Sequence, residues 1–83
     1  LAEISYGTLP APTYADAAKC FEKAITLNTA RVINYIELGH VYSEMGRTDD
    51  ARKVLSKGLG LKQTDKDDPA MKQRGREILA TLH

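Results

Sequence analysis

A segment of this chain recurs 34 residues further along, and that period restricts the fold more than any other feature. Slid by 34, Tyr14–Leu27 falls on Thr48–Leu61, matching Asp16 to Asp50, Ala17 to Ala51, Lys19 to Lys53, Lys23 to Lys57 and Leu27 to Leu61. Cys20/Val54, Phe21/Leu55, Ala24/Gly58 and Ile25/Leu59 are small or apolar in both copies. In each copy the apolar positions fall at i, i+4, i+7 and i+8, which is one face of an α-helix. A repeated helix of this kind cannot bury its face alone. The period therefore predicts stacked helical hairpins.

The remaining helices follow from their end signals. Thr13 is expected to cap the first copy, with Asp16 three residues on in a capping-box pattern. Thr48 is expected to cap the second, with Asp49 and Asp50 near its positive end. Between them, Thr29–Met45 reads as a helix with the stripe Val32, Tyr35, Leu38, Val41/Tyr42 and Met45. Gly46 suits a left-handed C-terminal cap. Gly39 on that stripe gives up about 1 kcal/mol of helix propensity against Ala, so a facing helix should approach closely there. The turn Gly46-Arg47-Thr48 is short enough to make the helices on either side antiparallel. A further helix is expected over 68–82, with Asp68 as cap, Pro69 at the first position and Met71, Gly75, Ile78 and Leu82 facing inward. Residues 1–6 read as the end of a preceding helix, stopped by Gly7 and Pro10. No strand pattern is present.

The stretch holding Tyr35, Leu38, Gly39, Tyr42, Gly46, Ala51, Leu55 and Gly58 closely resembles the tetratricopeptide repeat. Gly58, where Ala is usual, and Gln63, where Pro often closes the unit, are departures. Ala17, Phe21 and Ala24 match the second helix of a preceding partial unit. The resemblance implies an all-α chain of antiparallel hairpins, a piece of an α-solenoid: a partial repeat over 13–27, a full repeat over 29–61 and a capping helix over 68–82. It implies a protein-binding scaffold whose groove is lined by the first helix of each unit. Carried onto this sequence, that face is Ile33, Ile36, Glu37, His40 and Glu44. Ile33 and Ile36 would be apolar contacts, and Glu37 and Glu44 would select positive charge. On the alternative reading, the two isoleucines pack against a neighbouring helix that is missing from this chain. The clamp that some of these arrays use for acidic C-terminal tails is absent, since Ile36 and His40 occupy its places.

A second resemblance spans most of the chain. Tyr6-Gly7-Thr8-Leu9-Pro10-Ala11-Pro12-Thr13-Tyr14-Ala15-Asp16-Ala17 is similar to a Pro- and Thr-Tyr-containing segment of the regulator-of-microtubule-dynamics family, as is the acidic linker Thr64–Asp68. It implies a cytoplasmic helical-repeat protein of the microtubule or organelle-contact type.

Charge and composition exclude several other functions. Net charge is +1, and the sequence pI of about 8.1 is too low for a nucleic-acid footprint. Basic residues are not interleaved with aromatics, so single-strand stacking has no platform. Residues 1–46 carry three Lys/Arg against five Asp/Glu, and residues 47–83 carry nine against six. Contact with an acidic surface would thus fall to Arg52, Lys53, Lys57, Lys72 and Arg76. No apolar run approaches the roughly 20 residues of a membrane span. The single cysteine, Cys20, reads as a small core filler and suits a reducing compartment. Glu37, His40 and Glu44 share a face, but a carboxylate metal site needs a second such set, which is missing. No nucleophile elbow or phosphate loop occurs. The expectation is a chain with no catalytic residues, cofactor or metal, whose partner is a protein or peptide. Its competitor is an end cap that completes a longer array or associates with itself. A start at Leu1 without methionine suggests a piece of a longer protein.

Overall fold

The computed structural model describes residues 11–63 and 66–82, and among them every regular element is an α-helix. The fold is all-α, as the repeat predicts. The order is α1 (Ala11–Leu27), α2 (Val32–Glu44), α3 (Thr48–Leu59) and α4 (Asp68–Thr81). The helix end expected over 1–6 lies outside the described residues.

The helix starts differ from expectation. Thr13 is the third residue of α1 and no cap. Thr48 is the first residue of α3, whose cap position belongs to Arg47 without a side-chain capping bond. The turn explains the shift. Gly46 has φ +78, its N–H donates to the Ser43 carbonyl at 3.2 Å, and the Arg47 N–H donates to the Tyr42 carbonyl at 2.9 Å. These two bonds close α2 in a Schellman motif, as a left-handed glycine allows. The Arg47 carbonyl then accepts the Ala51 N–H at 2.9 Å and opens α3. One residue ends one helix and starts the next, which leaves Thr48 no capping task.

Likewise α2 begins at Val32, not at Thr29. Asn28 Oδ1 accepts the Ala30 N–H at 3.1 Å, and the Thr29 carbonyl accepts the Tyr35 hydroxyl at 2.8 Å, so both residues belong to the turn. In α4 the cap position is Asp67; Asp68 is the first helical residue, only 2% exposed, with Pro69 following it inside the first turn.

The centre of the molecule is α2. It packs against α1, α3 and α4; α3 also packs against α4, whereas the α1 backbone comes close to neither α3 nor α4. Gly39 faces Leu55, and Gly58 faces Tyr35, so α2 and α3 are antiparallel. Along α4 the order runs the other way. Ile33 neighbours Met71, Ile36 meets Gly75, and Glu44 neighbours Ile78 and Thr81, so α2 and α4 are parallel. Val32, Tyr35, Ile36, Leu38, Val41 and Tyr42 of α2 join Ala18, Ala51 and Leu55 in the core. Close approach at Gly39 is as the sequence predicts: an added Cβ would lie 2.3 Å from Leu55 Cγ.

Candidate partner-binding surfaces

Of the α2 face read from the sequence, only part is available to a partner. Ile36 is fully buried, its Cδ1 set against Gly58 of α3 and Gly75 of α4. It is a core residue and not an exposed contact, because the two glycines let α3 and α4 close over it. Glu37 Oε1 accepts from Arg74 of α4 at 2.7 Å, so its charge is met within the chain. Ile33 is half-buried beside Asp68 and Met71. His40 and Glu44 border a shallow pocket of about 390 Å³ between α2 and α4, shared with Ser43, Arg74, Ile78 and Thr81. The structure thus brings Glu37, His40 and Glu44 to the α2–α4 seam, and it separates Ile36 from them.

Cys20 is exposed rather than core. Ala18 holds the buried position of α1, and two residues further on a helix has turned about 200°, so Cys20 points away from α2. Among the described residues no group of three His, Cys, Asp or Glu side chains is placed to hold a metal. No described helix is long and apolar enough to cross a membrane.

A second concavity, with a more apolar lining, lies on the other side of α2. Because α1 and α3 both pack on α2 without reaching each other, a groove of about 380 Å³ opens between them. Its floor is Tyr35, Leu38 and Tyr42, which the core holds in place. Ile25 of α1 and Val54 of α3 form the apolar walls. Its rim carries Glu22 on α1 and Asp50, Lys53 and Lys57 on α3.

The two acids on this rim are already engaged. Tyr42 Oη donates to Glu22 Oε2, which ties α1 to α2 at one end of the groove. Burial of the phenol, and then that bond to a carboxylate, push the Tyr42 pKa up to about 12. Asp50 accepts from Arg47 at 2.9 Å, a bond that raises the Arg47 pKa. The same guanidinium lies over the Tyr42 ring, 4.3 Å from its centroid. Lys53 and Lys57 are exposed and have no ion pair among the described residues.

The groove thus presents apolar surface with charged groups along its rim. Sequence reasoning missed the groove because its walls come from non-equivalent positions of the two repeats. Its one available signal was Val54, an apolar residue beside the Ala51/Leu55 stripe.

The family model for regulator of microtubule dynamics protein 1-3 matches residues 1–83, the whole chain. No curated protein and no solved structure gives a significant match.

Proposed function

The chain belongs to the family of regulator of microtubule dynamics protein 1-3, and on that premise we propose that it is a non-catalytic protein-interaction module of a cytoplasmic, microtubule-related protein. The observation that carries this reading is the groove between α1 and α3, with an apolar floor that the core holds rigid and walls that stay partly open. Preformed concave surfaces with few polar groups are where partner side chains gain most on burial. The tetratricopeptide-type reading is supported by the antiparallel α2–α3 hairpin and by α4, which repeats the direction of α2. Partner contact at the α2–α4 seam, through His40 and Glu44, belongs to the same proposal as a secondary surface.

A photo-crosslinking residue at Val54 tests the reading in cell extract. The expected result is a discrete protein adduct absent when the crosslinker stands at Leu27, which is 77% exposed and lies off the groove. No discrete adduct from Val54, or the same adducts from both positions, would count against a partner groove.

One observation favours a second reading, an end unit that completes a longer array or pairs with another copy. Met71, Ile78, Leu79 and Leu82 along α4 pack on the core but are only partly buried. A further helix or a second molecule could cover them.

A further inference from the structure

Lys53 and Lys57 stand one helical turn apart on α3, beside Val54. The rise between them is about 6 Å, close to the spacing of alternate residues in an extended peptide. Elsewhere among the described residues several charges find countercharges, Arg47 with Asp50, Arg52 with Asp49 and Arg74 with Glu37, while Glu22 accepts the Tyr42 hydroxyl. Folding thus leaves the groove with an excess of positive charge along one wall, although its rim has as many acids as lysines. Asp50 is neutralised by Arg47, while Glu22, hydrogen-bonded to a neutral phenol, balances one of the two lysines.

We propose that the α1–α3 groove takes an acidic-apolar peptide segment of a partner protein, apolar side chains entering between Ile25 and Val54 and carboxylates meeting Lys53 and Lys57. This deepens the module reading and rests on it. Charge complementarity selects the occupant: a basic segment would face two lysines along the α3 wall, where Arg47 already neutralises Asp50, and would find only Glu22 on the opposite rim. An uncharged apolar segment would fill the floor but leave both lysines without counter-charge.

A phage-displayed library of random peptides, selected on the purified chain, provides the test. Sequences with two acidic residues and a bulky apolar one should be enriched. The variant Lys53→Glu/Lys57→Glu should bind the selected peptides roughly tenfold or more weakly, since two exposed ion pairs are lost and two repulsions replace them. Reselection on that variant should turn the consensus basic. Both lysines are exposed, so a thermal melt close to that of the parent chain is expected and confirms the fold. Enrichment without acids, an unchanged consensus on the variant, or no enrichment overturns the proposal. So does flotation of the chain with phosphatidylserine vesicles that the double reversal abolishes, which would assign the lysines to a membrane. A concentration-dependent dimer lost in the variant would assign them to a second copy. A discrete Val54 crosslink that survives the double reversal would refute the acidic partner and leave the module reading standing.

Discussion

A Cβ added to Gly58 would lie 2.6 Å from Tyr35 Cβ, one added to Gly39 2.3 Å from Leu55 Cγ, and one added to Gly75 2.6 Å from Ile36 Cδ1. These three contacts are not equally costly. The Tyr35 atom is next to the backbone and yields only if α2 moves, the Leu55 branch must find another rotamer in a full core, and Ile36 need only turn its tip. Gly→Ala gains about 1 kcal/mol of helix propensity, against about 1–3 kcal/mol for overpacking. Gly58→Ala should therefore lower stability most, Gly39→Ala less, and Gly75→Ala should fall near neutral; urea midpoints give the order. Tyr42 makes a pH prediction. Its folded-state pKa is raised from 10.0 to about 12, so the folded chain prefers the neutral phenol. That contribution, on the order of 2 kcal/mol, is complete below pH 10 and lost as pH climbs towards about 12. The stability gap between the parent chain and Tyr42→Phe should shrink over that interval. A gap independent of pH would mean that the phenol is not held by burial and Glu22.

Among the described elements, α1 packs against α2, while α3 is held by both α2 and α4. Local opening takes the least supported element first. Amides of α1 should exchange with solvent well before those of α2 and α3, as read by hydrogen exchange with mass spectrometry; equal protection would contradict this packing. The contrast also explains what could be read from the sequence. Gly39 and Gly46 were legible because each breaks a helical preference at a position where only a close approach or a left-handed turn gives a reason. Ile36 was not. A stripe on one face assumes one packing partner, whereas α2 is covered from three directions and buries Ile36 along with Val32, Tyr35 and Tyr42. Cys20 failed for the opposite reason, since among the described elements α1 packs on α2 with a narrow buried face centred on Ala18. Thr13 and Thr48 carry cap chemistry, but the turn at Gly46 and the earlier start of α1 place both inside helices.

For the whole molecule, molar mass by light scattering over a tenfold concentration range separates the two readings of the surface. A monomer near 9.2 kDa throughout would leave the groove open to other proteins. A concentration-dependent dimer that survives Lys53→Glu/Lys57→Glu would mean that Met71, Ile78, Leu79 and Leu82 seek cover on a second copy. The separation of α1 from α3 has a mechanical side as well. The groove is a vice whose jaws are held unequally: α3, which carries the lysines, is braced by α2 and α4, and α1 is braced by α2 with the Tyr42–Glu22 bond as its catch. On the proposed reading, the charged jaw would select the segment and the less braced jaw would decide how wide a segment fits. An occupant of the groove would thus register first as a stiffening of α1.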